Sequence, residues 1–83
     1  MFFMTIKLIA FGIAKDILQN SSIDFALAEQ ATVGTLKDNL CAQYPEFARL
    51  KSFAIAVNEE YQQDDFVIKS SDEVVIIPPV SGG

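Results

Sequence analysis

The chain ends in Pro78-Pro79-Val80-Ser81-Gly82-Gly83, and here the residue types and their order suggest chemistry. Two glycines after a stiff segment present a bare carboxylate on a narrow arm, because neither carries a Cβ. Pro78 and Pro79 donate no ladder hydrogen bond, so strand pairing stops there and the arm starts out extended. Six residues span at most about 20 Å, enough to carry a terminal carboxylate into a pocket of another protein. Taken alone, the tail reads equally well as a frayed terminus or a cloning remnant, so the rest of the chain must decide.

Few other residues compete with that carboxylate. The chain has no histidine and a single cysteine, Cys41, so no serine has an imidazole to activate it and no disulfide forms within the chain. A zinc or iron–sulfur centre needs several thiolates or imidazoles, so no metal site is expected. Cys41 falls in a helical pattern, where a small buried hydrophobe is the simpler reading than a reactive thiol. No cofactor is expected.

Composition narrows the partners. At 83 residues with 51% hydrophobic and 20% charged residues, the chain has the makings of one small domain with a packed core. A net charge of −5 opposes phosphate backbones and anionic lipid, so neither nucleic acid nor a membrane surface is an expected partner. Glu59, Glu60, Asp64, Asp65, Asp72 and Glu73 crowd one stretch whose only base is Lys69. Such a stretch is most simply a solvated face, though it also favours a basic partner. The apolar start, Met1-Phe2-Phe3-Met4, lacks a charged lead and is interrupted by Lys7, so a cytoplasmic protein is expected.

The elements that must position the tail follow from periodicity. Thr5 to Phe11 reads as a strand ended by Gly12, with Ile6, Leu8 and Ala10 on the core side and Lys7, Ile9 and Phe11 on the other. Ala14 to Leu18 allows a helical turn, and Gln19 to Ser22 a polar turn. Ile23, Phe25 and Leu27 alternate with Asp24 and predict a second strand paired with the first. Thr32 is suited to cap a helix carrying Val33, Leu36, Leu40 and Tyr44 on one face, ended by Pro45. Phe47 and Leu50 anchor the next connection, and Phe53 to Asn58 predicts a third strand. Glu59 to Asp65 is polar apart from Tyr61, Phe66-Val67-Ile68 is a short strand or a packed loop, and Lys69 to Asp72 is a turn. Glu73 to Ile77 is the last strand. This order predicts an α+β fold, the β-grasp or ubiquitin-like roll: a mixed sheet of four to five strands packed on one main helix. Residues 1–77 would form the domain and residues 78–83 the extended tail.

A domain of this order, with Ala56-Val57-Asn58 in its third strand, Asp72-Glu73-Val74 opening its last and Pro78-Pro79-Val80-Ser81-Gly82-Gly83 at its end, resembles the small subunit of molybdopterin synthase from about Ile6 to Gly83. Ser71 stands where that family often has glycine, and Met1-Phe2-Phe3 extends beyond its usual start. The resemblance implies a sulfur carrier with no side-chain catalytic centre of its own. An ATP-dependent adenylating enzyme would activate the Gly83 carboxylate, and a sulfur donor would convert it to a thiocarboxylate. The tail would then enter the large subunit, in a heterotetramer, and pass sulfur to cyclic pyranopterin monophosphate to build the molybdopterin dithiolene. The resemblance also implies a docking surface for the large subunit at Phe11, Tyr61 and Ile77, unless a loop of the same chain covers them. A carrier for thiamine or another thiolation pathway, or a ubiquitin-like protein modifier, would share the Gly-Gly ending.

Overall fold

The computed structural model describes residues 2–50 and 53–78. Of the tail, Pro78 is among them, whereas Pro79, Val80, Ser81, Gly82 and Gly83 lie outside the described residues.

Strand β1 (Phe3–Ala10) is followed by helix α1 (Gly12–Leu18), strand β2 (Ser22–Ala28), helix α2 (Val33–Gln43) and a 3-10 helix (Pro45–Arg49). Strands β3 (Ala54–Val57), β4 (Glu60–Tyr61) and β5 (Glu73–Ile77) complete the described chain. Among the described residues five strands form one sheet in the order β2-β1-β5-β3-β4. β1 and β5 run parallel, from Lys7 opposite Glu73 to Ala10 opposite Ile76, and the other pairs are antiparallel. The β-grasp is therefore the observed fold.

Period-two alternation sorts β1 between core and solvent as the sequence predicts. Ile6, Leu8 and Ala10 are at most 1% exposed, and on β5 Val74 and Ile76 join them. Leu36 and Leu40 of α2, with Phe47 of the 3-10 helix, belong to the same core. Each of these Val, Leu, Ile and Phe side chains taken from water contributes about 1.5–3 kcal/mol before the entropy of ordering the chain is counted. Phe47 also meets Phe53 at a ring-centroid distance of 5.4 Å and Tyr44 edge-on at 6.2 Å.

Several boundaries differ from the sequence reading. β1 begins at Phe3 rather than Thr5, because Phe3 pairs with Ala28 and the Phe2 carbonyl accepts the Glu29 N–H at 3.0 Å. Phe11 is not a strand residue but the first beyond it, the N-cap of α1. Gly12 takes φ +55°, a region that costs a side chain strain, and so lets the strand turn directly into α1. A seven-residue helix replaces the expected single turn. Pro45 ends α2 as predicted and also starts the 3-10 helix, its missing N–H being harmless at a first helical position. Cys41 is half-buried at the margin of the core rather than fully inside.

The segment after β4 resolves as a packed loop. Two of its carbonyls take free N–H groups from the first turn of α2: Val33 donates to Phe66 and Gly34 to Asp64, both at 2.9 Å. Thr32 caps the same turn, its Oγ1 accepting the Thr35 N–H at 3.3 Å. These bonds supply partners that the first turn of a helix lacks. Ile68 donates to the Ala31 carbonyl at 2.9 Å and is buried, which ties the loop to the core.

Candidate functional site

The tail leaves the sheet at the end of β5, so whatever surrounds Ile77 and Pro78 forms its root. Pro78 is half-buried, and its Cγ lies 3.6 Å from where a Cβ on Gly12 would stand. The root therefore rests against the turn that joins β1 to α1. A close contact between the end of β5 and Gly12 was not legible in the sequence, because it depends on β1 and β5 being neighbours.

At its other end β5 is held by a polar clamp. Asn58 donates from Nδ2 to Asp72 Oδ1 at 3.0 Å and accepts the Glu73 N–H at 2.9 Å, while its own N–H donates to the Glu73 carbonyl at 2.8 Å. Asp72 Oδ2 accepts the Lys69 N–H at 2.8 Å. Asn58 and Glu59 both have positive φ, the geometry of a tight two-residue hairpin turn between β3 and β4. The Ala56-Val57-Asn58 and Asp72-Glu73-Val74 segments thus bond to each other and fix where β5 begins.

Beside the root lies the sheet face turned away from the core. Ile9 of β1, Val75 of β5, Ala56 of β3 and Tyr61 of β4 are successive cross-strand partners and make one apolar row. One step nearer the tail, Ile77 pairs with Ala54. Phe11 is 59% exposed and Tyr61 70%, while Ile9, Val75 and Ile77 are half-buried. Phe11 and Ile77 therefore lie at the tail end of the face, and Tyr61 sits at its far edge on β4, bridged to them by Val75 and the two alanines. No loop of the described residues buries Phe11 or Tyr61. Half-buried Ala54, and Ala56 at only 5% exposed, were not legible as part of this face. Their alternation with Ile55 and Val57 was the available signal, since two small residues on the outer face leave a shallow floor between larger neighbours.

Phe11 also breaks a local rule. An N-cap is favoured as Ser, Thr, Asp or Asn, whose oxygen takes a free N–H, yet Phe11 makes no side-chain cap bond. A large apolar side chain held exposed where a polar one would stabilise the helix points to use by a partner.

A roll of five strands with one long helix, an apolar outer face and a tail rooted beside it defines a ubiquitin-like β-grasp protein. Solved structures agree: the HVO 2177 protein of Haloferax volcanii superposes with a TM-score of 0.83 at 25% identity, covering 98% of this chain and 88% of its own. Caldiarchaeum subterraneum ubiquitin superposes at 0.65 with 21% identity, over 99% of this chain and all of its own, which speaks to fold alone. Residues 9–83 match the ThiS family, and the chain belongs to it. It is 37% identical over 82 residues to the molybdopterin synthase sulfur carrier subunit of Dictyostelium discoideum, covering 93% of this chain and 94% of that protein. To the subunit of the same name from Arabidopsis thaliana it is 30% identical over 79 residues, 94% of this chain and 82% of that one. A complex of subunits 1 and 2 of the molybdopterin-converting factor from Helicobacter pylori contains a chain of the same fold, with a TM-score of 0.62, 23% identity and coverage of 96% and 100%.

Among the described residues no helix is long and apolar enough to cross a membrane.

Proposed function

We infer that the protein is the sulfur-carrying small subunit of a molybdopterin synthase, working in the cytoplasm. The observation that carries this reading is similarity to molybdopterin synthase sulfur carrier subunits over nearly the whole length of this chain and of those proteins. The carboxylate of Gly83 is the reacting group. A carboxylate is a poor acyl donor because its leaving group is oxide, so it is first joined to adenylate by an ATP-dependent enzyme, with loss of pyrophosphate. A sulfur donor then displaces the adenylate and leaves a thiocarboxylate. The tail, with Pro78 and Pro79 setting direction, Val80 and Ser81 reach, and Gly82 clearance, enters the large subunit. There sulfur passes to cyclic pyranopterin monophosphate and builds the molybdopterin dithiolene.

Phe11, Tyr61 and Ile77 form the dock for the large subunit. The exposure of Phe11 and Tyr61, and the apolar rows that join them to half-buried Ile77 beside the tail root, support this role. The solved complex of subunits 1 and 2 from Helicobacter pylori supports a partner of that kind. Such an interface draws on burial of apolar area at its centre, while the tail supplies the chemistry.

Reconstitution tests the reading. The thiocarboxylated protein, mixed with the large subunit and the pterin precursor, forms molybdopterin, and mass spectrometry of the protein from cells shows oxygen replaced by sulfur at the terminus. Isopeptide conjugates to other proteins, with no sulfur at the terminus, would mark a modifier instead.

A further inference from the structure

One residue pair farther from the tail than Ile9 and Val75, the same face carries three charges in a single row. Lys7 of β1 is the cross-strand partner of Asp24 on β2 and of Glu73 on β5. All three are exposed, and alternation turns them to the outer face with Ile9 and Val75. The order across the sheet is negative, positive, negative. The one ion pair among the described residues joins Lys37 to Asp64, so the Lys7 ammonium is paired with neither neighbouring carboxylate. Past the row Thr5 stands opposite Ala26, and beyond them Phe3 opposite Ala28 makes a second apolar pair.

The row borders the dock on the side away from the tail. An apolar floor centred on Ile9 and Val75 attracts a partner without fixing its sideways position, because burial of apolar area is not directional. Neighbouring strands are about 4.8 Å apart, so a partner displaced by one strand still meets apolar residues. Such a slip carries the tail root with it. At the row, the same slip sets like charge against like charge, and only one sideways position matches.

We propose that Asp24, Lys7 and Glu73 form a registering rim for the large subunit, which presents a matching surface in the order basic, acidic, basic. The proposal rests on the carrier reading given above. It separates order from total charge: a merely basic partner would be attracted by the net −5 of the chain and repelled by Lys7.

Exchange of the two charges on β1 and β2, in the double variant Asp24→Lys with Lys7→Asp, keeps the net charge and the opposite signs between positions 7 and 24, while it sets like charges opposite each other at positions 7 and 73. A thermal melt verifies that it folds. Calorimetric titration into the purified large subunit is expected to show at least a tenfold weaker Kd than wild type at low salt, and the difference narrows in about 0.5 M salt as charges are screened. Lys7→Glu alone is also expected to weaken binding. A double variant that folds and binds within twofold of wild type, or a Lys7→Glu variant that binds more tightly, overturns the rim while leaving the carrier reading intact. Failure of the wild-type chain to bind the large subunit overturns both.

Discussion

The two faces of this sheet are built from the same strands, yet they differ in how much they bury. On one, Ile6, Leu8, Ala10, Val74 and Ile76 are almost wholly removed from water. On the other, their immediate neighbours Ile9, Phe11, Val75 and Ile77 stay half-buried or exposed. A strand gives each face every second residue, so this chain can keep an apolar surface for a partner without weakening its core. Stability and function are then separable by a shift of one position along β1 or β5.

The largest effect expected is at the tail. Removing Gly83, or adding one residue after it, should abolish sulfur transfer in the reconstituted assay while the melting temperature stays within about 1 °C of wild type, as chain termini ordinarily tolerate such changes. Full activity in either variant would remove the tail from the mechanism. Next comes the core face. Leu8→Ala should cost about 2–5 kcal/mol through lost burial and the cavity left behind. For a domain this small that lowers the melting temperature by roughly 8–40 °C. The folded fraction should still bind the large subunit with unchanged affinity, and a calorimetric titration at low temperature checks it.

These predictions use features of unequal legibility. The core face was readable because Lys7 breaks an otherwise apolar run and fixes which set faces inward, and α2 was readable from Thr32 and the spacing of Leu36 and Leu40. The start of β1 was not, since Phe2-Phe3-Met4 shows no alternation and only pairing with Ala28 makes Phe3 a strand residue. The sequence of α1 predicts only a single turn because Gly12 signals an ending, and only its positive φ shows that it opens a helix. In the sequence Tyr61 is an apolar interruption in a polar stretch. Its place on β4 depends on a hairpin turn of Asn58 and Glu59, which lacks the usual glycine. At the site, the exposure of Phe11 followed from alternation, but the row of Asp24, Lys7 and Glu73 required the register of three strands.

The outer face should respond in binding and not in folding. Phe11→Asp should weaken affinity for the large subunit about 10- to 100-fold, the range of a central apolar anchor. The same substitution places a favoured residue at the N-cap of α1, where Phe11 makes no cap bond, so the melting temperature should hold or rise. A fall in both properties would instead make Phe11 a structural residue and collapse the distinction between the faces.

The smallest effect expected is at the far end of that face, and it sets how much of the surface the partner uses. Phe3 is 67% exposed and so resembles Phe11 in type and exposure. It lies six positions before Ile9 on β1, about 20 Å along the strand, and the charged row stands between them. Exposure alone predicts that Phe3 and Phe11 contribute alike, whereas a dock bounded by that row predicts that only Phe11 matters. Phe3→Ser should therefore leave the Kd for the large subunit within twofold of wild type, with stability changed by no more than about 0.5 kcal/mol. A loss comparable to that of Phe11→Asp would extend the dock over the whole face, and nearness to the tail root would no longer explain which apolar residues bind.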